Sequence, residues 1–426
     1  MVTDSILDEL QWRGLVAEST DEAALRSALA SGPVTYYAGF DPSAPSLQLG
    51  NLVLLVTARR FQLAGHRPII LVGGSTGLIG DPKPDAERTL QPPEVVAGWA
   101  EKIKEQVRPF VSFEGENAAI VVNNLDWTAN ITALEFLRDI GRHFRVNRML
   151  AKEAVSARMQ SEIGIGYTEF SYQILQAYDY LELYRQYGCT LQIGGSDQWG
   201  NITAGVDLIR RVEGASVHAL ATPLLTDAEG RKLGKTESGA VYLSPELTSP
   251  YAFYQYLYNV EDALVGTYLR AFSFRSREEI EELEKATAER PAAREAQRAL
   301  AEELTTLVHG AEECDRVVAA SRALFGRGAL AEIDPGTLDA ALRAAPHVRI
   351  DVGETWPSLV DLLAETGLAA SKSAARRIIE EGGASLNNAR VTDVDAVPSE
   401  SDLLHGRWLV LRRGRRNVAG VEVARR

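Results

Sequence analysis

The chain is poor in the residues that build covalent and metal frameworks. It has two cysteines, Cys189 and Cys314, and six histidines among 426 residues. Two thiols so far apart supply neither a disulfide framework nor the paired spacing of a zinc site. The scattered histidines add no cluster, so no protein-held metal is expected. No apolar run approaches the roughly 18 residues that a membrane-spanning helix requires. The opening MVTD lacks the basic and apolar regions of a signal peptide. A cytoplasmic protein without membrane contact is therefore expected. A general excess of positive charge is missing too: the formal net charge is −13, which excludes wholesale coating of nucleic acid. The end of the chain is the exception, with seven arginines and one glutamate between Leu403 and Arg426. An acidic body with a basic end suggests a polyanion met at one place.

What is present is an ordinary globular composition, 45% hydrophobic and 24% charged, long enough for two to four domains. The first half alternates strand-like and helix-like segments. VTYYAGF (34–40), RPIILVGG (67–74), AAIVVNN (118–124), CTLQIGG (189–195) and VHALATPLL (217–225) read as strands. Between them, helical patterns run over Pro92–Phe110, Ala133–His143, Glu169–Tyr187 and Gln198–Val212. Ser46 is expected to cap a further helix that Gly65 stops. Strands alternating with helices imply a doubly wound parallel sheet, an α/β catalytic domain over 1–245. Such sheets bind ligands at the carboxyl ends of their strands, where the glycine turns Gly39, Gly73-Gly74 and Gly194-Gly195 fall. From 246 to 325 the residues favour helices. Residues 326–356 read as a linker, and 357–426 as a small α+β domain.

Five stretches carry the chemistry. In GFDPSAPSLQLGN (39–51), Gln48 and Asn51 flank Gly50 near a helix start. Unpaired N–H groups, positive potential and a glycine suit an anion or a purine there. In RKLGKTESG (231–239), Lys232 and Lys235 sit three apart among glycines. This lacks the spacing of a P-loop, but two ammonium groups on a mobile loop can neutralise a polyphosphate. In GLIGDPKPDAERT (77–89), Asp81 offers a carboxylate for a cation, and Lys83 and Arg88 lie just beyond. In YTEFSYQILQAYDYLELY (167–184), Tyr172, Gln176 and Asp179 fall at i, i+4 and i+7, on one polar helix face. In LQIGGSDQWGN (191–201), Gly195, Asp197 and Gln198 follow a strand end.

Taken together and in this order, YYAGFDPSAPSLQLGN, LVGGSTGLIGDP, TEFSYQILQAYD, LQIGGSDQWGN and KLGKTESG resemble the motifs of bacterial-type tyrosyl-tRNA synthetases, class I aminoacyl-tRNA synthetases. SKSAARRIIEEGGASLNNARV resembles their S4-like RNA-binding unit, so the resemblance spans essentially the whole chain. It implies a Rossmann-like catalytic domain, a helical anticodon-binding domain over 246–325 and an S4-like domain over 357–426. It also implies a homodimer formed through an insertion at about 124–190. The activity implied is ligation of tyrosine to tRNA(Tyr). ATP is a substrate that brings its own Mg2+, and tyrosyl-adenylate is the intermediate. Tyr37 and Asp179 would then hold the phenol. Asp81, Tyr172 and Gln176 would hold the ammonium, with Gln198 alongside. Gly39, Asp41, Gly50, Asn51, Gly195, Asp197 and Lys235 would face ATP. Lys232, Lys235, Lys83 and Arg88 would grip the pyrophosphate. Lys372, Arg376, Arg377, Arg412, Arg413, Arg415 and Arg416 would meet tRNA. The family's first signature, His-x-Gly-His, is Gln48-Leu-Gly-Asn51 here; both side chains keep a donor, but any imidazolium charge is lost. Two other readings stay open: a duplicate tyrosine-adenylating enzyme for specialised metabolism or inhibitor resistance, and a non-catalytic RNA-binding paralogue.

Overall fold

The five apolar runs of the first half become neighbouring strands. The computed structural model describes residues 5–84, 86–236, 239–326, 328–353, 355–414 and 417–425. Strands β1 (Glu18–Ser19), β2 (Thr35–Phe40), β3 (Arg67–Val72), β4 (Ile120–Asn123), β5 (Leu191–Gly195) and β6 (His218–Thr222) form one sheet in the order β1-β6-β5-β2-β3-β4. All pairings are parallel except that of the short edge strand β1 with β6. Two short strands, β7 (Lys235–Thr236) and β8 (Gly239–Ala240), pair antiparallel apart from this sheet. The inner strands are buried on both faces, as expected where helices cover both sides of a parallel sheet. From β2 the chain winds one way through β3 and β4, then returns to place β5 and β6 on β2's other side. The order therefore reverses between β2 and β5, the place where such sheets open a crevice.

Helices Pro93–Val107, Tyr167–Tyr187 and Trp199–Glu213 follow the expected segments closely. Two expectations change. Ser46 does not cap a helix: it is buried, and its hydroxyl accepts from Gln106 Nε2 (2.9 Å) and Ser244 N (3.0 Å). A 3-10 turn, Leu49–Asn51, leads into the helix Leu52–Leu63 instead. The single helix expected over Ala133–His143 is wound in three ways: an α turn at Ala133–Glu135, a π-helical stretch at Phe136–Ile140 and a 3-10 turn at Gly141–His143.

Two compact units divide the chain, residues 1–247 with 261–296, and residues 248–260 with 297–426. The helical block expected over 246–325 is thus split. Helices Asp262–Phe272 and Arg277–Glu289 join the first unit because two buried arginines close the end of the former. Arg13 Nη1 donates to the carbonyls of Arg270 and Ser273 (both 2.8 Å), and Arg60 donates to those of Ala271 and Ser273 (both 2.7 Å). Cations at a helix C-terminus satisfy carbonyls that have no partner within the helix.

The second unit ends in a five-stranded sheet. Strands β9 (His347–Val352), β10 (Ala384–Leu386), β11 (Ala389–Val391), β12 (Trp408–Arg413) and β13 (Asn417–Arg425) take the order β11-β10-β12-β13-β9. The expected linker 326–356 is therefore structured in part. It contains the helix Pro335–Ala344 and β9, which pairs parallel with β13. Leu359, Leu363, Ile379, Leu409 and Val421 form the core beneath this sheet.

Candidate active site

Every strand of the parallel sheet except β1 delivers a polar group just past its carboxyl end. Asp41 follows β2. Thr76 and Asp81 follow β3, Asn124 and Trp127 follow β4, Asp197 and Gln198 follow β5, and Lys232 and Lys235 come after β6. A crevice of about 1460 Å³ opens at the switch point. Asp41, Gln48, Asn51, Asp81, Lys83, Arg88, Asp197, Gln198, Lys232 and Lys235 line it. Tyr37, Tyr172, Gln176 and Asp179 do not. The first two and Asp179 are buried, and Gln176 is half-buried between Tyr172 and Asp179 on their helix.

A line of hydrogen bonds joins the crevice to the buried groups. Asp41 accepts from Tyr172 Oη (2.6 Å) and from Thr76 Oγ1 (2.7 Å). Asn124 Nδ2 donates to Thr76 Oγ1 and to Asp179 Oδ2, both at 2.9 Å. Trp127 Nε1 donates to Asp179 Oδ1 at 2.9 Å. Gly73 makes room for the line, since a Cβ there would stand 2.0 Å from Asp41 Oδ1 and 2.3 Å from Thr76 Oγ1. Tyr37, 1% exposed, packs its ring against Tyr180 at 5.3 Å, and its hydroxyl has no hydrogen-bond partner among the described residues. The same holds for the buried Oε1 of Gln192, directly opposite Tyr37 in the β2–β5 ladder. Buried polar atoms of this kind are rare and call for an explanation.

Loss of water dominates the electrostatics. Burial pushes the Asp179 carboxyl up to about 8, against the pull of its Asn124 and Trp127 hydrogen bonds. Burial raises Asp41 to about 6, against the pull of Tyr172 and Thr76. It also holds the Tyr37 and Tyr172 phenols well above their ordinary value. Both carboxyls hold a proton more tightly folded than unfolded, where Asp titrates near 3.9. Their stabilising contribution is complete below that value. It is lost as pH rises through about 6 for Asp41 and about 8 for Asp179. Melting curves are thus expected to show a contribution that declines between about pH 4 and pH 8. Asp179→Asn is expected to flatten the part between about pH 6 and pH 8; an unchanged slope in that variant would refute the assignment.

Asp81 is the hub of a second network. Lys152 Nζ lies 3.0 Å from its Oδ1 and also reaches Asn201 Oδ1 at 2.8 Å. Gln198 Nε2 donates to Asp81 Oδ2 at 2.9 Å, and Asn201 Nδ2 to Oδ1 at 3.2 Å. Lys152 and Asn201 are absent from the sequence-based set, as are Thr76, Asn124, Trp127 and Gln192. Asn201 stood within a quoted motif, three residues past Gln198. Lys152 carried no local signal, because its partners lie on other elements.

The lysine stretch folds back over the first signature. Backbone bonds from Leu49 N to Val241 O (2.9 Å), Leu243 N to Leu47 O (2.9 Å) and Val241 N to Gly234 O (2.8 Å) stitch the two segments together. Gly234 has φ +80°, and a Cβ there would lie 3.1 Å from Leu49 Cβ, so the turn demands glycine. As a result Lys235 Nζ donates to Gln48 Oε1 at 3.0 Å, while Lys232 Nζ meets Asp197 Oδ2 at 3.2 Å. Asn51 Oδ1 accepts from Gln48 N at 2.9 Å. The Lys235 ammonium titrates below its usual range, first through loss of water and then through repulsion from Lys83 and Lys232. Gly39 and Gly50 are exposed beside these groups, and Gly195 is half-exposed.

The basic residues expected to meet RNA that the structure describes belong to the second unit. Lys372, Arg376 and Arg377 are exposed on the helix Lys372–Glu380, with Lys372 paired to Asp361 at 2.7 Å. Arg413 is exposed at the end of β12, and Arg412 is half-buried. Arg415 and Arg416 lie outside the described residues.

A parallel sheet that gathers cations, carboxylates and a buried phenol at its carboxyl ends has known counterparts. Residues 29–326 match the family described as tRNA synthetases class I (W and Y), and residues 338–420 match the SYY-like C-terminal domain of tyrosine–tRNA ligase. The tyrosine–tRNA ligase of Streptomyces coelicolor is 67% identical over 419 residues, 98% of this chain and 99% of that one. That of Nocardia farcinica is 57% identical over 99% of both chains. Among solved structures, a truncated mitochondrial tyrosyl-tRNA synthetase from Aspergillus nidulans superposes with a TM-score of 0.69 at 28% identity. It covers 75% of this chain and 94% of its own. The chain therefore belongs to the class I aminoacyl-tRNA synthetases, and within them to the tyrosine–tRNA ligase family.

Proposed function

We propose that this protein activates L-tyrosine with ATP and transfers the tyrosyl group to the 3′ end of tRNA(Tyr). One observation carries the reading. A cluster of cations suited to polyphosphate lines the same crevice as Asp41, and a hydrogen-bonded line runs from Asp41 to a buried carboxyl near an unpartnered phenol. The tyrosine carboxylate attacks the α-phosphorus of ATP, the bond to the β-phosphate oxygen breaks, and pyrophosphate leaves with the electron pair. Lys232, Lys235, Lys83 and Arg88 offset the charge that grows on the departing group, and Gln48 and Asn51 assist. Mg2+ arrives with the nucleotide. Asp179 and Tyr37 receive the phenol hydroxyl. Asp81, Tyr172, Gln176 and Gln198 receive the ammonium, for which Lys152 must yield its place on Asp81. Asp41, Asp197, the exposed Gly39 and Gly50 and the half-exposed Gly195 leave room for the nucleotide. A hydroxyl of the tRNA's terminal ribose then attacks the tyrosyl carbonyl, and AMP leaves. Positioning and charge stabilisation suffice, with no covalent enzyme intermediate.

Tyrosine-dependent exchange of labelled pyrophosphate into ATP, followed by charging of tRNA(Tyr), tests this. Phenylalanine should give no comparable exchange, since it would leave Asp179 and Tyr37 without their partner. Absence of tyrosine-dependent exchange by the purified protein would refute it. A homodimer belongs to the same reading, supported by apolar side chains exposed on the insertion, with Leu134 81% exposed and Val146, Met159 and Ile163 each more than half exposed. So does a cytoplasmic location, where tRNA and ATP are at hand.

The helix Lys372–Glu380, Arg412 and Arg413 are assigned to tRNA phosphates. Arg376→Glu with Arg377→Glu is expected to weaken tRNA binding about tenfold or more at low salt. It should also lower the salt slope by about one per lost phosphate contact. Pyrophosphate exchange should stay within about twofold. An equal loss of exchange would place these residues in the wrong part of the mechanism.

A further inference from the structure

Resting on the ligase reading above, we propose that the buried Arg158–Glu169 ion pair is the positioning device for the loop that carries Lys83 and Arg88. The two side chains are among the most deeply buried charges of the first unit, 1% and 3% exposed, with Arg158 Nη2 3.0 Å from Glu169 Oε2. Neither lines the crevice, and neither belongs to the set assigned to tyrosine. Both hold backbone instead. Arg158 Nη1 donates to the carbonyls of Ala86 (2.5 Å) and Lys83 (3.3 Å), and its Nε donates to Gly164 O (2.8 Å). Glu169 Oε1 accepts from Arg88 N at 2.6 Å. Three backbone groups of one loop, at 83, 86 and 88, therefore end on a single ion pair. Residues 81–84 and 86–91 form neither helix nor strand that could hold them otherwise. Arg88 is fixed further by its Nε bond to Asp81 O at 2.7 Å, and it folds against Gly80, where a Cβ would lie 2.9 Å from Arg88 Cγ.

Stability alone does not account for the pair, because well-packed apolar residues of similar volume serve as well or better in such places. What an apolar pair cannot supply is a planar fork of donors for carbonyls and an acceptor for an N–H. Cations that must meet charge as it develops need that rigidity beforehand. The device is also built from distant parts of the chain. Arg158 comes from the helix Glu153–Gln160, and Glu169 from the first turn of Tyr167–Tyr187.

The test compares Arg158→Lys, Glu169→Gln and the double variant Arg158→Met/Glu169→Leu in the full-length protein. Arg158→Lys keeps the charge but loses the fork. The double variant removes both charges together. In each, kcat/KM for ATP in pyrophosphate exchange is expected to fall about tenfold or more, with the dissociation constant for tyrosine, measured without ATP, within about twofold. Glu169→Gln, which keeps an acceptor for Arg88 N, should be the mildest. Amide hydrogen exchange over residues 81–92 should quicken in Arg158→Lys while that of the helix Tyr167–Tyr187 does not. A folded Arg158→Lys or double variant with unchanged ATP kinetics and unchanged loop protection would overturn the proposal. So would tyrosine affinity falling in step with ATP kinetics. Should the unmodified protein show no pyrophosphate exchange, the ligase reading fails. The loop-protection arm then still decides whether the pair positions the loop.

Discussion

Replacing Lys232 and Lys235 together by alanine lowers tyrosine-dependent pyrophosphate exchange by at least about 10²–10³-fold, the range for loss of one group that stabilises developing anionic charge. Tyrosine binding in the absence of ATP should stay within about twofold. The cations stand at a cost in the free protein. Lys235 gives up water and faces Lys83 and Lys232, which lowers its affinity for a proton. Among the described residues, Gln48 Oε1 and the exposed Asp197 answer the two lysines directly. Under the proposed function, the polyphosphate of ATP turns this repulsion into binding. Relief of it should leave the thermal stability of the unliganded double variant unchanged or slightly raised. Losses of groups that act as a unit are not additive, so each single variant is expected to show most of the effect. Gln48→Ala, which removes one hydrogen bond to a charged group, should cost about ten- to a hundredfold. Exchange within a few-fold of the unmodified protein would remove the lysines from the mechanism.

Asp179→Ala is expected to damage both stability and tyrosine use. It strips the acceptor from Trp127 Nε1 and one acceptor from Asn124 Nδ2, both buried. Orphaned buried donors cost about 1–3 kcal/mol each, offset in part because a carboxyl that resists ionisation is no longer buried. The tyrosine kcat/KM should fall about ten- to a hundredfold or more through loss of the phenol's partner. The KM for ATP should change far less, because Asp179 lies beneath the crevice and not in its wall. Asp179→Asn separates the two effects. It keeps the volume and one acceptor, so stability should recover in large part while tyrosine use stays impaired. Equal loss of tyrosine and ATP parameters would mean that Asp179 serves the fold alone.

Much of the scaffold was legible in the sequence. The continuous apolar run RPIILVGG, ended by glycines, marks a strand buried on both faces, and all five strand-like segments became strands of the parallel sheet. The polar face Tyr172–Gln176–Asp179 was visible because three residues of one helix share an angle whatever surrounds them. The glycine turns at Gly73 and Gly234 were equally visible, although close side chains demand glycine at the first and backbone conformation at the second. The winding of Ala133–His143 was not, and neither was the order within 326–356. There the strand His347–Val352 forms only because a partner more than sixty residues later, around Gly420, offers it a ladder.

The same distinction holds for the site. By itself the sequence determined which chemical groups are present, the chain order that puts them after successive strands, and the glycines that let backbone and side chain come close. Those are local properties of dihedral freedom, periodicity and composition. Tertiary structure alone decided that Asn124 and Trp127 hold Asp179, that Lys152 and Asn201 hold Asp81, that Gln192 stands opposite Tyr37, and that Arg158 and Glu169 tie down the loop of Lys83 and Arg88. The physical reason is that each of these links depends on the packing of separate elements, which brings hydrogen-bond or ion-pair partners within about 3 Å and, for Gln192 and Tyr37, sets two strands in register. No spacing along the chain encodes such a distance.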